Sequence, residues 1–235
     1  MAAAITIYRS SIGKKAIMAI SGLIGIGFLA VHMYGNLKIF LGPETFNAYA
    51  AGLRTLGEPV LAYTHLLWIA RIVLVAAVVL HVAMAYQLTR QDWAGRPRSN
   101  RYQVKKSVQQ TYASRTMRWG GVMLFLFIVY HLMNLTFGVV GFGAGQFKHP
   151  ENGSFSTYQN VINAFQFWPA TLFYIVAMVM LGFHLYHGFW SMFQTLGLNS
   201  YRTNTPLRAI AAAVALLLTV GFTAVPVAVL FGIVQ

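Results

Sequence analysis

The chain has 235 residues, 57% apolar and 9% charged, with 17 Lys and Arg against 4 Asp and Glu and a net charge of +13. Cysteine is absent, which excludes a disulfide framework, a cysteine-held iron–sulfur cluster and the C-x-x-C-H attachment of c-type haem. The basic balance would suggest nucleic acid in a soluble protein. Here the charges fall between long apolar runs, so they are topology signals and no nucleic-acid partner is expected.

A helix crosses the hydrocarbon core with about 20 apolar residues. Five runs meet that length, and spans are predicted at about 14–41, 60–90, 114–141, 168–197 and 205–233. The runs do not alternate as barrel strands do, and lipid demands a backbone satisfied within each segment. The expected fold is therefore an all-α integral membrane protein, a single five-helix bundle over residues 1–235. The first run follows 15 mostly polar or small residues and lacks an A-x-A-like site, so it reads as a span and not a cleaved signal peptide.

Taken in chain order, the basic residues fall mostly on one side. Arg9, Lys14 and Lys15 precede or open span one. Arg90, Arg96, Arg98, Arg101, Lys105, Lys106, Arg115 and Arg118 surround the loop between spans two and three, and Arg202 and Arg208 follow span four. Thirteen of the 17 cations thus lie on one side. The positive-inside rule puts the N-terminus in the cytoplasm and the C-terminus outside.

The histidines follow the same order. His32 lies in span one, His81 in span two, His131 in span three, and His184 and His187 in span four; span five has none. His65 stands near the outer end of span two and His149 in an outer loop. An ionisable residue inside a membrane is a functional hypothesis by default, although an interhelical hydrogen bond worth about 1 kcal/mol is the plain alternative for any one of them. Measured from the basic ends at about 1.5 Å per residue, His32 lies about 26 Å deep and His131 about 20 Å. His81 lies about 14 Å deep and His184 about 18 Å. They sort into an outer pair, His32 with His131, and an inner pair, His81 with His184.

Two facing histidines at one level of a helix bundle supply both axial ligands of a haem iron. A zinc or copper site usually gathers three or four ligands, often with Cys or a carboxylate, and no Asp or Glu lies in the core of any span. Two b haems between the first four helices are therefore expected. Gly25, Gly35, Ala77, Ala85 and Gly188 lie at helical spacings from the histidines; they leave room for a planar group or serve close packing. Arg71 sits within span two with no carboxylate to pair with. It reads as a partner of an outer haem propionate or as a side chain snorkelling to the surface.

Four stretches carry a resemblance: S-S-I-G-K-K (10–15), H-M-Y-G-N-L (32–37), F-L-G-P-E-T-F-N-A-Y (40–49) and H-L-Y-H-G-F-W-S (184–191). They resemble the di-haem cytochrome b membrane anchors of succinate:quinone oxidoreductases, the succinate dehydrogenases and quinol:fumarate reductases. The resemblance implies a distal haem on His32 and His131 and a proximal haem on His81 and His184, the first histidine of H-x-x-x-G. It implies a flavoprotein subunit with covalent FAD and an iron–sulfur subunit docked on the cytoplasmic side of a bacterial inner membrane. It also implies electron flow from succinate through flavin, clusters and both haems to quinone, with menaquinone favoured. The chain itself has no dehydrogenase site. The basic loop at about 91–113, with Trp93, Tyr102 and Tyr112, suits docking or contact with anionic lipid. Glu58 and His65 suit a quinone site beside the distal haem, or interfacial structure. The alternatives are a cytochrome b of another quinone-linked dehydrogenase, such as a hydrogenase, and a haem-free transporter. Against the transporter stand the lack of intramembrane carboxylates and of a detectable repeat.

Overall fold

The computed structural model describes residues 10–95, 112–142, 147–150 and 155–235. Arg9, most of the basic loop (Arg96, Arg98, Arg101, Tyr102, Lys105 and Lys106) and Glu151 lie outside the described residues. Seven α-helices are described: α1 Ser11–Leu37, α2 Pro43–Thr55, α3 His65–Ala94, α4 Tyr112–His131, α5 Thr157–Gln166, α6 Trp168–Thr195 and α7 Asn204–Leu230. Among the described residues there is no strand. Five segments are long and apolar enough to cross a membrane, and they are α1, α3, α4, α6 and α7 with their short extensions.

The S-S-I-G-K-K stretch has a local task. The Ser10 hydroxyl accepts a hydrogen bond from the Gly13 N–H at 3.0 Å and caps α1, as a serine at this position commonly does. α3 begins at His65, later than expected, because the chain turns at Gly57 and Thr64, both with positive φ. α4 ends earlier than expected. It passes from His131 into a π-helical turn, Leu132–Thr136, and Gly138 and Gly141 then adopt positive φ.

α1 packs along α3, α4 along α6, and α6 along α7, with α1 also touching α6 and α7. Two small residues set the tightest crossings. A Cβ at Gly182 would lie 2.5 Å from the Thr219 hydroxyl, so α6 and α7 meet closely there. A Cβ at Gly221 would collide with the Met33 side chain, so α7 also meets α1.

The two short helices were not expected. α5 buries Tyr158, Val161, Ile162 and Phe165, spaced as one helical face. It joins α2 through the Tyr158 N–H, which donates to Asn47 Oδ1 at 3.0 Å, and the chain end through the Tyr158 hydroxyl, which donates to the Gln235 carbonyl at 2.9 Å. Together α2 and α5 cap one end of the bundle. The other end is basic. There Arg118 of α4 pairs with Asp92 of α3 at 2.6 Å.

Candidate cofactor site

The bundle brings together the two predicted pairs. The rings of His32 on α1 and His131 on α4 have centroids 5.9 Å apart with planes at 81°. Those of His81 on α3 and His184 on α6 have centroids 6.1 Å apart with planes at 54°. His187 instead lies edge-on to Trp190, at 6.1 Å.

The two levels are held at one separation by three helices. Gly22 lies against His81, and ten residues along α1 comes His32. Gly121 lies against His184, and ten residues along α4 comes His131. Tyr174 touches His131, and ten residues along α6 comes His184. Arg71 precedes His81 by ten residues on α3. Ten residues of α-helix rise about 15 Å, which is the distance between the levels along the bundle.

The outer pair is anchored by side chains. His131 Nδ1 is 3.2 Å from the Tyr174 hydroxyl. That hydroxyl donates to Asn134 Oδ1 at 2.9 Å, and Asn134 Nδ2 donates to the Val140 carbonyl at 2.7 Å. The Tyr174 proton is thus committed to Asn134, so its oxygen accepts from a protonated His131 Nδ1. The other ring nitrogen, Nε2, then keeps its lone pair. Asn134 is fully buried and sits in the π-helical turn, a type of turn frequent at functional sites. His32 stacks on Phe28 with planes at 12°.

The inner pair is anchored by backbone on one side. His81 Nδ1 is 3.1 Å from the Met18 carbonyl, which can only accept, so Nδ1 again carries the proton and Nε2 the lone pair. The approach is close because α1 offers Gly22 there; a Cβ on it would lie 3.3 Å from the His81 ring. His184 Nδ1 is buried with no hydrogen-bond partner.

These residues fit a haem. Two imidazoles bound on opposite sides of one metal, with bonds of about 2 Å to nitrogen and the ring radii added, have centroids about 6 Å apart. Both pairs match that spacing. In each pair one ring is fixed with Nε2 available, as metal-bound histidines usually are. Open space also exists beside the histidines: a Cβ at Gly25 or Gly188 would meet nothing within 4 Å. Gly35 is different. A Cβ there would lie 2.6 Å from the Tyr49 ring, so this glycine serves the contact of α1 with α2. Among the described residues no three His, Cys, Asp or Glu gather as a metal cluster; the histidines meet in twos.

Arg71 is exposed, with its guanidinium 4.9 Å from the Trp68 ring centroid, one turn nearer the capped end. Arg54 of α2 lies over the Phe155 ring at 4.1 Å. Partial burial lowers the Arg54 pKa from its ordinary value; Tyr63 opposes the shift and Arg71 adds to it. Glu58 and His65 are both exposed, in the α2–α3 loop and at the first residue of α3. Among the described residues no hydrogen bond or ion pair joins them. Tyr174, Asn134, Gly22 and Gly121 were not singled out from the sequence. Tyr174 is an ordinary aromatic in an apolar run, and only the fold brings it to His131.

Five apolar spans define a multi-pass membrane protein, and two pairs of half-buried histidines stand within its bundle. The family model for the succinate dehydrogenase/fumarate reductase transmembrane subunit matches residues 94–224. That is more than half of the chain, and the chain belongs to this family. The matched stretch includes His131, His184 and His187, whereas His32 and His81 precede it. No curated protein matches. No solved structure matches.

Proposed function

We propose that this chain is the cytochrome b membrane anchor of a succinate:quinone oxidoreductase in a bacterial inner membrane. It holds two b haems, the outer on His32 and His131 and the inner on His81 and His184. Its partners are a flavoprotein with FAD and an iron–sulfur subunit, docked at the basic end, and its electron acceptor is a quinone, menaquinone in preference. The observation that carries this reading is the pair of histidine couples at 5.9 and 6.1 Å, drawn from four different helices.

A bound haem supplies a one-electron ferric–ferrous couple. The protein's own part is to orient and to exclude water. Tyr174 and the Met18 carbonyl fix the tautomers of His131 and His81, which leaves each Nε2 free to bind a metal. Phe28, Phe127 and Phe222 surround the outer pair with apolar rings. Arg71, at the outer level, is the cation for a propionate there. Glu58 and His65 supply exposed titratable groups at the same end, suited to giving or taking the protons of a quinone.

The test is to purify the chain with its partners and count haem. Two b haems per chain with reduced b-type absorption bands, co-purifying with a flavoprotein and an iron–sulfur protein, is the expected result. A colourless protein would remove the cytochrome reading; haem with a hydrogenase partner would change the complex.

A further inference from the structure

At the basic end, the hairpin between α6 and α7 borders an open cavity of about 560 Å³ lined by Trp190, Asn199, Tyr201, Arg202, Asn204 and Arg208, among others. The volume falls within the range of small-ligand sites, about 300–1,000 Å³. Its walls are fixed before any ligand arrives. Trp190 Nε1 donates to Asn204 Oδ1 at 3.0 Å, and Asn199 Nδ2 donates to the same oxygen at 3.3 Å. Ser200 and Thr203 bond each other reciprocally across the turn, Ser200 N–H to Thr203 Oγ1 at 2.7 Å and Thr203 N–H to Ser200 Oγ at 3.3 Å.

Among the described residues no carboxylate side chain compensates the charge in this cavity. The Arg208 guanidinium lies over the Trp190 ring at 4.2 Å, and its Nε is buried without a hydrogen-bond partner. Arg202 is exposed beside it. No Asp or Glu follows Glu151 in the chain, so α5, α6 and α7 contain no carboxylate side chain. Asp92 is engaged with Arg118, and Glu44 and Glu58 belong to the capped end. An arginine fork held on an aromatic face is suited to bidentate recognition of phosphate. Beside the cavity Leu196, Leu198 and Tyr201 are exposed, which supplies apolar contact at the depth of the membrane–water boundary. Basic pockets between spanning helices take anionic lipid headgroups.

We infer that the α6–α7 hairpin binds a phosphate group through Arg208 and Arg202, in the first place the phosphodiester of an anionic phospholipid. This site is separate from the histidine pairs and does not depend on the haem reading. The complex, purified in a non-ionic detergent, is assayed for bound lipid by native mass spectrometry. Its thermal midpoint is measured against added phosphatidylglycerol, phosphatidylcholine and inorganic phosphate. Phosphatidylglycerol should be retained and raise the midpoint where phosphatidylcholine does not. Arg208→Gln and Arg202→Gln should each weaken that binding about tenfold or more, the scale of a lost charge-assisted hydrogen bond, and Arg115→Gln should leave it unchanged. Stabilisation by inorganic phosphate alone, abolished in the same variants, would support the phosphate site and name free phosphate as its source. Should Arg208→Gln not fold, Arg202→Gln and displacement of phosphatidylglycerol by phosphate in the unaltered complex carry the test. Equal response to both lipids without any phosphate effect would overturn the inference. So would unchanged binding in Arg202→Gln and Arg208→Gln, or loss of the iron–sulfur subunit from these variants while lipid stays bound, which would assign the arginines to the subunit interface.

Discussion

The outer and inner histidine pairs have nearly equal ring spacing and are built by different means. At the outer level His131 is held by a relay of two side chains, Tyr174 and Asn134, that ends on the Val140 carbonyl. At the inner level His81 Nδ1 meets the backbone carbonyl of Met18 at 3.1 Å, with the Ser21 hydroxyl more distant at 3.4 Å, an approach open because Gly22 has no side chain. His184, its neighbour, has no partner at Nδ1. A side-chain relay can be altered by one substitution without moving a helix. A backbone carbonyl cannot be removed that way. The proposed outer haem should therefore be tunable through the residues around its ligands, and the inner one mainly through helix packing.

The largest effect expected from this contrast is the loss of one site with retention of the other. His131→Ala should reduce two haems per chain to one and remove a single component from the redox titration. His81→Ala should remove the other component. His187→Gln should keep both, because His187 stands by Trp190 and His184 is the ring beside His81. If His131→Ala and His81→Ala erased the same component, the two-level arrangement would be wrong.

Much of this arrangement was legible before the fold was known, for physical reasons. A charged or titratable residue in an apolar run is costly, so each of the four histidines stood out against its background. Depth along a helix is linear in residue number, so counting from the basic ends ordered them into levels. Tyr174 and Asn134 were not legible, because an uncharged polar residue in a span needs only one partner and theirs lies about 40 residues away. α5 was missed for another reason. Its buried face at Tyr158, Val161, Ile162 and Phe165 is periodic, but it is only ten residues long and polar outside, and it follows a segment rich in turn residues. Gly35 is open to both readings in the sequence, because a glycine on a helix face does not say whether a cofactor or a neighbouring ring occupies the space; here it is Tyr49 and close packing.

A smaller effect follows from the relay. Tyr174→Phe removes the acceptor of the His131 Nδ1–H and the donor to Asn134 Oδ1, while keeping the ring. A histidine that donates from Nδ1 is the more basic ligand, and a more basic ligand favours ferric iron. Loss of the acceptor should raise the outer potential and weaken outer haem retention by about 10–100-fold, the usual cost of losing such a partner. Asn134 becomes a buried amide short of one donor, costing about 1–3 kcal/mol of stability. The inner potential should stay in place. A shift of both components together would mean that the relay holds the bundle and not one site.

The smallest effect concerns Arg71, which stands at the outer level by its ten-residue offset from His81. Its guanidinium is exposed and turned to Trp68, so solvent screens its charge. A unit charge at a distance of about 10 Å, at an effective dielectric between that of a protein surface and water, acts with roughly 0.4–1.7 kcal/mol. That corresponds to about 20–70 mV for a one-electron couple. A cation favours the electron-rich ferrous form, so Arg71→Gln should lower the outer potential by that amount. The inner site, about 15 Å further along the same helix, should shift less, and added salt should narrow the difference. Arg54 bears on the outcome, because it is the neighbouring cation that Arg71 affects electrostatically. If both arginines serve the outer site, Arg54→Gln should produce a shift of the same sign and the double variant should approach the sum. An outer potential unmoved by Arg71→Gln would return that residue to the surface, as a side chain reaching past Trp68 for water.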